Sequence, residues 1–233
     1  MGTTNVPITF IYKKQSREII NIMNKNERFV ITINRELGSG GRTVGRILAE
    51  KLGVPYYDKA LIKPLEEKFD MTQDQIEKLK GNNRSWWEDI KRVLILGEDA
   101  ANSSEYYDEE KKRLVTSEAV LKAEKEILQS IANEESCVIA GRSAFFVTNG
   151  HQNRLNIFIQ ASMGYRLNRV MKKQGLSEKE AKKVIQEVDE TREKYLNKNA
   201  GISRYDTHNY DLVIKMDGKT EEEVANVILA FIG

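Results

Sequence analysis

The sequence predicts an α/β fold in which helices flank a five-stranded, mostly parallel sheet. Two observations carry that expectation. Short β-branched apolar runs alternate with amphipathic helical stretches, and the first such run ends in a glycine cluster that opens a helix. Strands joined by helical crossovers pair in parallel.

Residues 1–28 form a polar lead-in with a helical stretch, REIINIMNK, and no readable motif, so the core is expected to begin after them. FVITIN, from Phe29 to Asn34, is the first strand and GRILAEKLG the first helix. VPYYD is a short second strand ending at Asp58. It runs into a helical ALIKPLEEKF and completes a βαβ unit. From about residue 71 to 116 the chain turns charged, with SWWEDIKRVLILG and then SSEYYDEEKK, and reads as a helical insertion. Beyond it come a helix from about Ser117 to Asn133, the strand SCVIAG, the strand RLNIFIQA and the helix MGYRLNRVMKKQG. The long amphipathic helix LSEKEAKKVIQEVDETREKYLNK, the strand YDLVIKMD and the helix TEEEVANVILAFI close the chain. One domain over 29–233 carrying the insertion is the expected organisation.

The 233 residues are enough to bury a sizeable core, and 40% apolar with 31% charged residues is the composition of a globular protein. Lysine and arginine total 37 against 35 acids, so the net charge of +2 gives no footprint for nucleic acid or a membrane surface. No apolar run approaches the roughly 20 residues of a membrane span. The start, MGTTNVPITFIYKKQ, lacks the pattern of a secretory signal, so a cytoplasmic location is expected. The single cysteine, Cys137, lies in an apolar strand and reads as a core thiol. No Cys/His cluster has metal-ligand spacing, and His151 and His208, in polar stretches, read as surface residues.

Gly38, Ser39, Gly40, Gly41, Arg42 and Thr43 stand where a phosphate-binding loop belongs, between the first buried strand and the first helix. Glycines let successive N–H groups turn toward one point, and the helix N-terminus adds the positive end of its dipole, so anionic phosphate is favoured. Against the pattern G-x-x-x-x-G-K-[ST], Gly41 fills the second glycine and Thr43 the hydroxyl that ligates Mg²⁺. Glu36 stands for the first glycine, and Arg42 for the lysine that reaches the phosphates. Arginine keeps the charge but presents a bulkier, planar head. The loop narrows the fold class to the P-loop NTPase fold.

With ITINRELGSGGRTVGRILAEKLGVPYYDKALI, CVIAGRSA, IFIQASMGYRLNRVMKKQGLSEKEAKKVIQEVDETREKYLN and NYDLVIKMD in view, the chain resembles the cytidylate kinase-like family from about Phe29 to the C-terminus. The resemblance implies ATP-dependent phosphoryl transfer to a CMP-like nucleoside monophosphate or a similar small acceptor. Gly38 to Thr43 would hold the phosphates of ATP with Mg²⁺ at Thr43. Asp58, Arg142, Asp189 and Arg192 would face the acceptor, and Arg166 and Arg169 would flank a lid. Arg42, Arg142, Arg166 and Arg192 would form the catalytic set. Cytidylate kinases generally carry an aspartate just after the Gly-Arg pair, where this chain has Ser143. Relatives with GRCAD have an acid where it has Phe145.

Simpler roles stand beside these. Asp58 suits a helix N-cap, Asp189 and Arg192 are spaced to pair along one helix, and Arg166, Arg169 and Arg192 suit a solvated helix face. Trp86, Trp87, Tyr106 and Tyr107 read as packing residues, and DEEKKR (108–113) as a solvated run. At the level of function, Glu36, Arg42 and Phe145 favour an alternative, a nucleotide-binding regulatory module without turnover. A third reading is an interaction protein whose middle insertion binds a partner.

Overall fold

A computed structural model describes residues 23–58 and 118–233. The helical stretch expected after Asp58, the 71–116 insertion, its Trp and Tyr pairs and the DEEKKR run lie outside those residues.

Five strands form one sheet: β1 (Val30–Arg35), β2 (Tyr56–Asp58), β3 (Cys137–Ala140), β4 (Arg154–Gln160) and β5 (Leu212–Lys215). The order is β2-β3-β1-β4-β5 and every pairing is parallel, as the alternation of strands and helices predicts. β1 and β2 are not neighbours, because β3 lies between them. The reason is burial: all four β3 residues, Cys-Val-Ile-Ala, are fully enclosed, which requires a partner on each side and cover on both faces.

Six helices cover the sheet among the described residues: α1 (Gly41–Leu52), α2 (Glu118–Glu134), α3 (Ala144–Val147), α4 (Met163–Gln174), α5 (Glu178–Ala200) and α6 (Glu221–Ile232). Side chains alternate across a strand, so neighbouring β1 residues serve different layers. Ile31 and Ile33 face α1 and α6 with Val44, Leu48, Val224 and Ile228, whereas Val30 joins Leu128, Ile131 and Tyr57 on the α2 side. A third cluster of Leu37, Val170, Ala181 and Ile185 fastens α4 and α5 to the segment leaving β1. At the sheet centre Thr32 donates its hydroxyl to Asn156 Oδ1 at 2.7 Å, so two buried polar side chains satisfy each other.

Capping fixes where the helices start. Ser162 caps α4 and is itself held by Asp217, whose carboxylate accepts from the Ser162 N–H at 2.9 Å. Ser177 with Glu180, and Thr220 with Glu223, form reciprocal capping boxes at α5 and α6.

Two expectations change. The core starts before residue 29, since Met23 is 2% exposed and packs in the main cluster. Met23 lies in the stretch REIINIMNK, whose apolar residues carry no motif that ties them to the core. His208 is exposed as expected, but His151 is half-buried. No helix among the described residues is long and apolar enough to cross a membrane.

Cys137 is fully buried at the start of β3, and burial, reinforced by Glu135, pushes its thiol well above the usual range. The native protein is expected to leave a disulfide reagent such as dithionitrobenzoate unreacted at mildly alkaline pH and to titrate a single thiol once unfolded. Fast labelling of the native protein would show that β3 is not enclosed.

Candidate phosphate-binding site

β1 ends at Arg35, and the chain turns through Glu36, Leu37, Gly38 and Ser39 to Gly40, the N-cap of α1. Gly40 takes φ 90° and offers no side-chain cap, so N–H groups of the first α1 turn remain available to a ligand. The loop lies flat on α4. A Cβ on Gly38, whose φ is 80°, would stand 2.9 Å from the Arg166 carbonyl oxygen. Ser39 departs from its expected role as a phosphate contact. It is fully buried, and both its N–H and its hydroxyl donate to the Glu36 carbonyl, at 3.3 and 2.9 Å, so it shapes the turn.

Beneath the loop sits a buried charged cluster. Arg166, 5% exposed, donates Nε to the Leu37 carbonyl at 2.8 Å, pairs Nη1 with Glu36 Oε1 at 3.1 Å and bonds Asp189 Oδ2 through Nη2. Asp189, 6% exposed, accepts the Leu37 N–H at 3.0 Å. The N–H and the carbonyl of Leu37 are thus both held by one ion pair. Glu36 also accepts the Ala161 N–H at 3.0 Å, tying the loop to the end of β4. The residue that breaks the glycine pattern is therefore a strut.

Cations surround the open side of the loop. Arg35, Arg42, Arg169, Lys173 and Arg192 line one cleft together with Gly38, Gly40, Gly41 and Thr43. Arg42 sets its fork on Asp58 Oδ2, with Nε at 2.9 Å and Nη2 at 2.7 Å, and Tyr56 donates its hydroxyl to the same oxygen at 3.2 Å. Arg169 pairs with Glu221 at 2.5 Å and reaches Thr43 Oγ1 at 3.4 Å. Arg192 lies 3.5 Å from Asp189. Burial, then Arg42, Arg169 and Arg46, hold the Lys173 ammonium below the usual lysine range. Burial and the neighbouring Arg192 bring Arg35 down to about 10. A surplus of positive charge facing one pocket is an arrangement for binding an anion.

Beside the loop, β3 ends in three successive left-handed residues, Gly141 at φ 86°, Arg142 at 54° and Ser143 at 52°. Two of them carry side chains, a strained backbone that the enclosed strand below must hold in place. Phe145 is buried, and its ring centroid lies 5.1 Å from that of Tyr210. Tyr210 accepts from Asn34 Nδ2 at 2.5 Å and donates to the Arg204 carbonyl at 2.7 Å. Burial pushes its hydroxyl up to about 12, so it stays protonated as that donor.

Of the residues singled out from sequence, the loop glycines, Arg42, Thr43, Arg169 and Arg192 meet in one cleft. Asp58 and Arg142 stand at the ends of the neighbouring strands β2 and β3. Asp58 is 2% exposed and is Arg42's partner; the helix it was to cap lies outside the described residues. Arg166 is buried under the loop with Asp189 rather than on a solvated face. Three cations were missed. Arg35 had a visible signal, a charge ending an apolar strand just before the glycines. Lys173, one of two adjacent lysines on α4, and Arg204, in a polar loop, had none. Arg204 is 2% exposed and donates Nη2 to the Arg35 carbonyl.

The profile of the cytidylate kinase-like family matches residues 30–218. A cytidylate kinase from Methanopyrus kandleri is 25% identical over 212 residues, covering 87% of this chain and 92% of that protein. A crystal structure of an uncharacterized protein from Eubacterium ventriosum superposes with a TM-score of 0.61 at 25% identity, covering 88% of this chain and 98% of the other.

The Asp189–Arg166 pair yields a prediction. Asp189→Ala takes one of two carboxylate partners from the buried Arg166 and leaves the Leu37 N–H without its acceptor, and should lower stability by about 3 kcal/mol. Arg192→Ala removes only a longer contact at a partly open position and should cost less than about 1 kcal/mol. Urea unfolding of both variants tests the difference, and equal losses would refute the placement of Asp189 as the loop's anchor.

Proposed function

The chain belongs to the cytidylate kinase-like family, and on that premise we propose that it transfers a phosphoryl group from ATP to a CMP-like nucleoside monophosphate or a similar small acceptor. The observation that carries the reading is the cleft itself, where a helix N-terminus and five cations drawn from β1, α1, α4 and α5 face one space. Phosphoryl transfer asks a protein for positioned positive charge around phosphate and for little covalent chemistry, which is what such a cleft supplies.

The roles follow from position. Backbone N–H groups between Gly38 and Thr43, apart from that of Ser39, receive the donor phosphates. Mg²⁺ would neutralise phosphate charge. It commonly takes only one or two protein oxygens plus phosphates and water, so the Thr43 hydroxyl is a fitting single contact. Asp58, Arg142 and Arg192 face the acceptor, with Arg42 orienting Asp58. Arg166 and Asp189 act through the loop they hold. Helices α4 and α5, carrying Arg169 and Arg192, form the lid that excludes water. In this reading the enzyme works in the cytoplasm, where ATP and nucleotide acceptors are present. The cytidylate kinase relative supports CMP as the first acceptor to try. Ser143, in place of the usual acid, supports testing beyond it.

One observation favours a second reading, a nucleotide-binding regulatory module without turnover: Arg42, at the lysine position of the motif, is occupied by Asp58. ATP consumption with Mg²⁺ across CMP, dCMP, UMP, AMP, GMP and non-nucleotide acceptors separates the two. Turnover with one acceptor is expected, and Thr43→Ala should reduce it on the order of 100-fold, the usual loss for one transition-state contact. ATP binding by calorimetry with no acceptor turned over would establish the regulatory module.

A further inference from the structure

We propose that Arg35, rather than Arg42, supplies the side-chain cation that grips phosphate at the glycine loop, so that the missing lysine of the motif is replaced from the preceding strand. The inference rests on the phosphate-binding reading of the loop but not on turnover.

The geometry separates the two arginines. Arg42 commits Nε and Nη2 to Asp58, a carboxylate 2% exposed, and withdrawing it would leave that charge buried without its fork. Arg35 has no carboxylate within ion-pair distance among the described residues. Its side chain lies in a slot bounded by two glycines. A Cβ on Gly41 would stand 2.7 Å from Arg35 Cβ, and one on Gly141 would stand 1.8 Å from Arg35 Nη1. A side chain at Gly141 would strike the guanidinium itself and one at Gly41 the base of its stem, so the two glycines together leave room for Arg35 between the first turn of α1 and the end of β3. Arg35 lines the same cleft as Gly38, Gly40, Gly41 and Thr43.

Electrostatics agree with the geometry. Burial is the largest influence on Arg35, and Arg192 and Arg42 add repulsion that Tyr56 and Asp58 only partly offset. A cation held in place against repulsion lacks an anion. The other cations are less suited: Arg169 is paired with Glu221, Arg192 lies beside Asp189, and Lys173 sits at the exposed rim. The ligand chemistry is a phosphate chain, with Arg35 offering two parallel donors to its oxygens.

Calorimetric titration of the full chain with ATP and with inorganic tripolyphosphate tests this, using Arg35→Gln, Arg35→Lys and Arg42→Gln. Loss of one charge-assisted phosphate contact should weaken both ligands by about 10- to 100-fold in Arg35→Gln, with partial recovery in Arg35→Lys and no more than a few-fold loss in Arg42→Gln. Thermal melting without ligand adds a readout that a merely structural arginine would not give. Arg35→Gln should melt no lower than the parent, because a repelled charge has been removed, while the stabilisation by tripolyphosphate is lost. Unchanged affinity in Arg35→Gln, a larger loss in Arg42→Gln, or a parent that binds neither ligand would overturn the proposal. Tight tripolyphosphate binding lost in Arg35→Gln, without turnover of any acceptor, would sustain it while removing the kinase reading.

Discussion

The geometry of the cleft depends on one interaction, the grip of the Arg166–Asp189 pair on the N–H and the carbonyl of Leu37. A loop of small residues has no side chains with which to hold its own shape. Fixing each backbone residue costs about 1–2 kcal/mol of conformational entropy, which the glycine loop cannot recover by burying apolar surface. The pair supplies the restraint from below, and Glu36 extends it to the end of β4 through the Ala161 N–H. Such a buried charged cluster adds little net stability, because desolvation offsets its attraction. What it contributes is position: it fixes the path of the loop backbone between β1 and α1.

The sheet explains why the loop and the cations meet. With all strands parallel, every carboxyl end lies on one edge, and β1 is the middle strand of the five. The glycine loop therefore leaves from the centre of that edge. Asp58 at the end of β2 and the Gly141–Ser143 turn at the end of β3 lie to one side, while β4 and the start of α4 lie to the other. Ligands gather at this edge in open α/β sheets for the same reason.

Several features near the cleft oppose local stability. Arg142 and Ser143 adopt left-handed backbone, cations crowd Arg35, and the Asp58 carboxylate is buried against Arg42. They persist because fully enclosed β1, β3 and β4 residues, Ile31, Ile33, Ile139 and Ile157 among them, fix the strand ends from which these groups project. Strain and uncompensated charge concentrated at one sheet edge above a rigid core are what a binding site looks like in energetic terms.

Periodicity in the sequence determined the five strands, the helices around them, the parallel sheet and the place of the glycine loop, because these depend on residues close together in the chain. Capping signals such as Ser177 with Glu180 are equally local. The pairing of charges was not legible. Arg166 meets the Leu37 carbonyl across 129 positions and Arg204 meets the Arg35 carbonyl across 169. Sequence alone offered Asp189 an acceptor role or its helical neighbour Arg192, and it passed over Arg35. The tertiary structure decided which groups are neighbours, because strand order brought Asp58 beside Arg42, and two glycines distant from each other in sequence left room for the Arg35 side chain at the centre of the edge.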